Sequence, residues 1–373
     1  MALVDAVSVI ESLEALEPHY LPWLDRRGAL AALKEGTLPR PNSESWKYTD
    51  PAPFFDPEDD ALDVEAKDTV SVPDSPSGVI DFESDEAREI VSSHINQAVD
   101  QRRYPLAAIS YMKIDCGLVI HVTPGDQTQS IRLGDLRGRF QRVLVIVGAG
   151  AHLDFIETTT GSNRVVECFV APDAELRHRR LQPAGTGIDY NLVAVNIAEH
   201  GSYRLSQYSS GARLRRNDVS VNILGEGADA ELTGAWQLNE ALHLDNQISV
   251  NHLVPGGTSR QHFRGNVDGR AKSIFNGRIY IAANAQRTNA TLTNRNLVVS
   301  PQAEVYTKPE LEIYANDVVC SHGATVGQLD ADAIFYFQSR GIEEEEARSI
   351  LMKGFLKEVV SHEDGRALLG IET

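Results

Sequence analysis

"GAGAHL" (148–153), "APDAEL" (171–176) and "GADAEL" (227–232) each place a turn-forming pair before a small residue and then a large one. "EHGSYR" (199–204) and "PGGTSR" (255–260) keep the pattern, and "ANAQR" (283–287) and "PQAEV" (301–305) are weaker copies. With the small residue as marker, the positions are Ala151, Ala174, Gly201, Ala230, Thr258, Ala285 and Ala303, at intervals of 23, 27, 29, 28, 27 and 18 residues. One turn motif at a near-constant interval suits one coil of a β-solenoid, where strands and turns bring the chain back above its starting point and like residues stack. A β-sandwich also has many short strands but no reason to repeat one turn at one interval. The spacing therefore predicts a mainly β chain with a solenoid core over 104–330, and "LVAVNIAE", "VSVNIL" and "IYIAA" read as its strands.

The flanks read differently. Leu3, Val7, Ile10, Leu13 and Leu16 recur at three and four, the mark of one apolar helical face, so 1–55 is an N-terminal helical region that ends in the irregular "LPRPNSESWKYTDPAPFF" (38–55). Residues 56–103 follow as an acidic linker ("DPEDDALDVEAKD", 56–68) and a helical segment. At the other end, 331–373 is a C-terminal helical region. "ADAIFYFQSR" stops at Gly341, and "EEEEARSILMKGFLKEVV" puts Glu343–Glu346 at the positive end of a helix dipole. Its apolar stripe is Ala347, Ile350, Leu351, Phe355, Leu356 and Val359. Because a solenoid's terminal coils have only one neighbour, this region is expected to cap the coil or to receive another protein.

Composition narrows the function. The chain has 373 residues and a formal net charge of −18, which argues against a general nucleic-acid binder. Its longest apolar stretch, "VLVIVGAGA", is far short of a membrane span. Three distant cysteines without a C-x-x-C fit free thiols in a reducing cytoplasm, and "MALVDAVSVIESLEALE" lacks the basic start of a signal peptide. No Walker loop, G-x-G-x-x-G, H-E-x-x-H or G-x-S-x-G occurs, so no enzyme class is indicated. Asp330 and Asp332 fit helix N-capping better than a catalytic carboxylate pair. "RHRR" (177–180) and "RLRR" (213–216) read as a solvated sheet face, with anion binding by alternate arginines as the sharper alternative. His243, His252 and His262 read as single hydrogen-bonded histidines.

One stretch combines ligand types. In "NDVVCSHGATVGQLD" (316–330), Cys320 and His322 are two residues apart, so a strand would point both the same way. Thiolate and imidazole are both ligands for soft or borderline metals, yet two ligands do not close a site. Half a metal site, a nucleophile with its base, and a buried packing pair all fit the residues.

"KPELEIYANDVVCSHGATVGQLDADAIFYFQSRGIEEEEARSILMKGF" (308–355) closely resembles the C-terminal signature of the SufB/SufD family, scaffold subunits of the SUF iron–sulfur cluster assembly machinery. "SESWKYTD" (43–50) resembles that family's N-terminal motif, and the additional cysteines expected of SufB are absent, which puts the likeness on the SufD side. The resemblance implies a right-handed parallel β-helix core with helical regions at both ends. It implies a non-catalytic subunit that pairs with SufB through the β-helix cores and binds the SufC ATPase through its C-terminal helices, where Ile350, Leu351 and Phe355 are the candidate contacts. ATP then acts through that partner, and iron or a nascent iron–sulfur cluster is held only transiently in the complex. The family's interface histidine matches His322 and its neighbouring cysteine matches Cys320, which makes the pair half of a site completed across a subunit boundary. A homodimer of the isolated chain is a further expectation. A carbohydrate-active solenoid enzyme and an inert structural adaptor are the alternatives.

Overall fold

The computed structural model describes residues 6–17, 19–36, 38–55, 70–71, 78–126 and 129–371. Corners come first in the logic of the coil. Gly150, Asp173, His200, Gly227 and Gly256 all have φ between 53° and 73°, the left-handed region that lets the chain turn sharply. Ala151, Ala174, Gly201 and Ala228 follow them, each closing a turn through its N–H to the carbonyl three residues back. Small side chains are needed there because the corner points into the packed interior, where Ala151, Ala174 and Ala228 are at most 1% exposed.

Two nine-stranded sheets face each other. The first contains β1 (Val70–Ser71), β4 (Gln129–Leu133), β6 (His152–Thr158), β8 (Glu175–Gln182), β10 (Ser202–Ser209), β12 (Asp229–Leu238), β14 (Thr258–Val267), β16 (Thr288–Val298) and β18 (Val318–Gly327) in that order. The second runs from β2 (Val79–Asp81) through β3 (Cys116–Val122), β5 (Phe140–Val147), β7 (Asn163–Val170), β9 (Gly185–Ile197), β11 (Ala212–Ile223), β13 (His243–His252) and β15 (Lys272–Ile281) to β17 (Glu304–Ile313). Among the described residues β1 pairs antiparallel with β4 and β2 with β3, and every other pairing is parallel to the strand one coil away. The result is the expected parallel β-solenoid, of about eight turns.

Helices cover the flanks. α1 (Ala6–Glu14), α2 (Arg27–Glu35), α3 (Asp85–His94) and α4 (Pro105–Met112) pack with Val119, Leu144, Val165 and Leu192 on the outer face of the second sheet. Buried on both faces, that sheet carries continuous apolar runs such as 143–147. α4 lies inside the range 104–330 assigned to the β core, and the first strand of that core to pair in parallel is β3, from Cys116. Pro105 sits at the first helical turn, and every residue from Leu106 to Met112 is buried. The acidic linker expected at 56–68 lies outside the described residues.

The C-terminal helices α5 (Ala331–Ser339), α6 (Glu344–Lys357) and α7 (Glu363–Leu368) do not cap the coil. α6 and α7 fold back on the first sheet, where Leu356, Val359, Val360 and Leu369 bury Tyr208 and Ala235. Arg179 reaches Asp364 (2.8 Å), and Arg264 donates to the Phe355 carbonyl (2.9 Å). Two repeat markers also move. Ala230 lies two residues beyond the corner, level with Leu176, and Thr258 lies one beyond Gly257. A two-residue slip keeps the inward and outward faces intact, which is why "GADAEL" aligned so readily with "APDAEL". Ala303 belongs to the opposite corner, level with Ala271, which accounts for the short last interval.

The arginine clusters are not a solvated face. Arg177 and Arg213 are exposed, but Arg180 and Arg215 point into the coil and are at most 1% exposed. Inside, Glu157 accepts from Arg180 (2.5 Å) and Arg164 (3.3 Å). Arg180 also donates to Gln207 (2.8 Å), Gln207 to Asn246 (3.0 Å), and Asn217 to the same Asn246 oxygen (2.9 Å). Arg215 holds Asp189 (2.6 Å). Glu157 with Arg180 and Asp189 with Arg215 are register partners on successive coils, so one coil's charge is answered by the next.

Burial pushes the Glu157 carboxyl up, but Arg180, His178 and Arg164 outweigh it and hold it well below the usual carboxylate range. Its stabilising share is therefore complete above the unfolded value of about 4.3 and is lost as pH falls from there toward the lowered native value. Glu157→Leu, which leaves two buried guanidiniums without their carboxylate, should cost about 3–5 kcal/mol in thermal or denaturant melts. The same melts repeated below pH 4.3 should find Glu157→Gln less sensitive to acid than the natural chain.

Candidate functional site

β18 is the last strand of the first sheet. It pairs with β16 on one side, and among the described residues no strand pairs with its other edge. Its even-numbered residues continue the columns that fill the coil. Cys320 lies over Ala290, and His322 over Leu292, in a column that runs down through Gln261, Leu232, Leu205 and His178. Cys320 and His322 thus share a face, as the spacing requires. They differ in depth: Val318 and Cys320 pack against the apolar interior, whereas His322 is exposed.

The chemistry of the pair follows from that placement. Burial pushes the Cys320 thiol up, partly offset by a hydrogen bond from the Ala290 backbone. The other thiols are deeper. Cys168 is fully buried and its thiol is raised well above the ordinary value by burial, and Cys116 is raised by burial and by Asp115. Among the described residues no group of three or more His, Cys, Asp and Glu side chains is placed to hold a metal ion. The two donors stand together without a third from the described residues.

One coil below is a polar floor that the sequence reading missed. Asn294 Oδ1 accepts from Thr307 (2.9 Å) and from Asn296 (2.6 Å), and both asparagines are buried. Their alternation in "TNRNL" put them on the inward face, but only the pairing with β18 sets them beneath Ala324 and Val326.

The other singled-out residues are dispersed. Ile350 is exposed, Leu351 is half-buried, and Phe355 lies under the Arg264 guanidinium, 4.8 Å from the ring centre, packed toward Tyr208. Ala347, Leu356 and Val359, from the same stripe, are core. The largest exposed apolar groups of the region are on α5, where Phe335 is 70% and Tyr336 57% exposed. Asp330 caps α5 by accepting from the Asp332 N–H (2.9 Å), which is the capping role expected of it. His243 bonds Thr49, His252 bonds Ser259, and His262 accepts from Arg264.

The fold and its open end define the class: a parallel β-solenoid that presents two soft-metal ligand types on its terminal strand. The chain belongs to the SufB/SufD family, since residues 130–355 match the family described as "SUF system FeS cluster assembly, SufBD core domain". A SufBD family iron–sulfur cluster assembly protein of Synechocystis is 35% identical over 203 residues, 53% of this chain and 44% of the relative. The chloroplastic protein ABCI7 of Arabidopsis thaliana is 36% identical over 233 residues, 59% of this chain and 48% of the relative. Escherichia coli SufD is 29% identical over 249 residues, 65% of this chain and 58% of the relative. The matched stretches thus span about half the length of these curated relatives. Membership supports a scaffold role in iron–sulfur cluster assembly.

The burial order predicts thiol reactivity. A disulfide reagent such as DTNB should label Cys320 first in the native chain, with a rate that climbs as pH rises past about 8.5, because the raised thiol is protonated below that. Cys320→Ser should remove this fast phase, while Cys168 reacts only on unfolding.

Proposed function

We propose that the chain is the SufD-type subunit of a SUF scaffold complex, pairing with SufB across the open end of its coil and carrying a SufC ATPase on its C-terminal helical region. The observation that supports this most is the contrast between the two terminal strands. β17 carries Glu304, Lys308, Glu310 and Glu312, together with Pro309, the features that blunt an edge strand. β18 carries no acidic or basic residue except His322 and no proline, and it leaves Val319 on its outer face and Val326 on its inner face exposed. An unguarded edge of that kind suits strand addition from another chain.

A partner strand on β18 would lie beside Cys320 and His322 and could supply further donors to the pair. The nascent cluster is cargo, to be passed on. Imidazole is a more exchangeable cluster ligand than thiolate, so a mixed and shared ligand set suits release. Metal binding by Cys320 requires loss of its proton, which the raised thiol resists until a cation is present. His322, exposed, is the readier donor. In the absence of SufB, the same edge can accept the β18 edge of a second copy. Phe335, Tyr336 and Ile350 are the apolar groups available to SufC, whose ATP hydrolysis would supply movement that this chain does not generate.

Co-expression with SufB and SufC, read by native mass, tests the partners. Val319→Lys with Thr325→Lys should weaken SufB pairing by roughly tenfold or more, about 1.4 kcal/mol, and leave SufC bound. Deleting 331–373 should do the reverse, with circular dichroism confirming that the core remains folded. SufC retained on the truncated chain would place its site elsewhere.

His322→Ala tests the site. Pairing and the melting transition should persist while iron and sulfide on the purified complex fall to near background. Full cluster content in that variant would refute the assembly role. A collapsed melt would make His322 a structural residue.

A further inference from the structure

Trp46, Tyr48 and Thr49 belong to the N-terminal motif, far in sequence from the terminal strands, and the fold brings them to the second sheet. Trp46 is buried, with the Arg216 guanidinium 3.8 Å from its ring centre. Arg216 also donates to the Ser45 carbonyl (2.9 Å) and to Asp245 (2.9 Å). Thr49 donates to the same Asp245 oxygen (2.7 Å) and meets His243 Nε2 at 3.0 Å. The segment is therefore anchored on β11 and β13.

From that anchor it reaches across β15 to the last strand. The Tyr48 ring stacks on Tyr306 of β17 at 3.9 Å with a 16° interplanar angle, and Glu44 pairs with Lys308 at 2.7 Å. Among the described residues no strand but β15 pairs with β17, and no residue along it is fully buried. Between the segment and the terminal strands lies a cavity of about 690 Å³, lined by Lys47, Tyr48, Phe275, Tyr306, Thr307 and Val326. Val326 comes from β18, so the cavity extends from the segment to both terminal strands.

We propose that residues 44–49 are a brace, which clamps β17 to β11 and β13 and so holds the partner-facing end in shape before a partner binds. The second half of that statement rests on the pairing reading above, and the first half does not. A terminal strand hydrogen-bonded along one edge frays more readily than an interior one. A stacked tyrosine pair and an ion pair from a separately anchored segment oppose that fraying without occupying the β18 edge. Tyr48 and Glu44 are the positioning residues, because Trp46 and Thr49 are buried in the anchor itself.

Hydrogen exchange read by mass spectrometry on the full chain is the test. Tyr48→Ala with Glu44→Ala should exchange amides in 304–313 at least about tenfold faster, while 216–223 and 243–252 stay as protected as before. Tyr48→Phe, which keeps the ring, should behave as the natural chain. Unchanged protection of 304–313 in the double variant would overturn the brace. Faster exchange throughout would overturn it as well, because the segment would then support the whole core. With SufB present, the double variant should pair more weakly than Tyr48→Phe, and equal pairing would overturn the link to the partner-facing end. If the natural chain itself fails to pair, the pairing reading falls while the exchange result still decides the brace.

Discussion

Parallel coils can satisfy their backbone only through the coil above and the coil below. Every interior strand of this molecule has both neighbours, and the two ends are treated differently. At the N-terminal end, β1 and β2 turn antiparallel and close the first coil. At the C-terminal end, β17 and β18 keep a free edge among the described residues. An unmet row of backbone donors and acceptors is an invitation to another chain unless something discourages it. Pro309 and its charged neighbours do so on β17, and nothing comparable stands on β18.

The same constraint explains where the helices go. Both helical regions lie on flanks, the N-terminal one on the second sheet and the C-terminal one on the first. A sheet buried on one face by the coil interior still has an outer face, and apolar residues such as Leu144 and Tyr208 there need cover. Flank packing provides that cover and leaves the axis of the coil open. The C-terminal helices can therefore be part of the folded core through Leu356 and Val359 while Phe335 and Tyr336 remain outside it.

Interior charge follows the stacking rule too. Arg164, Glu157 and Arg180 would each be costly alone in an apolar coil, and they are tolerated because a corner brings Arg164 to Glu157 and register sets Arg180 one coil beyond it. Polar partners continue that column through Gln207, Asn246 and Asn217. A buried polar column of this kind ties one coil's position to the next, since a shift of one residue turns each of these side chains to the outer face.

Sequence alone determined the repeat, hence the solenoid, because a corner demands a left-handed residue followed by a small one and the chain must meet that demand once per coil. It also determined that Cys320 and His322 share a face, because alternation along a strand is local. Helices at both ends were legible from three-and-four spacing, as was the Asp330 cap. Register was not legible, because alternation tolerates a two-residue slip, and Ala230 was misplaced for that reason. Nor was the fate of the arginine clusters, since a strand's alternation does not say which face is the interior. Only the tertiary structure decided that the last coil stays open, that the C-terminal helices lie beside it, and that the segment from Glu44 to Thr49 reaches β17. The last two depend on contacts between residues far apart in the chain, 185 positions for Arg179 with Asp364 and 264 for Glu44 with Lys308, and no local pattern encodes such a distance.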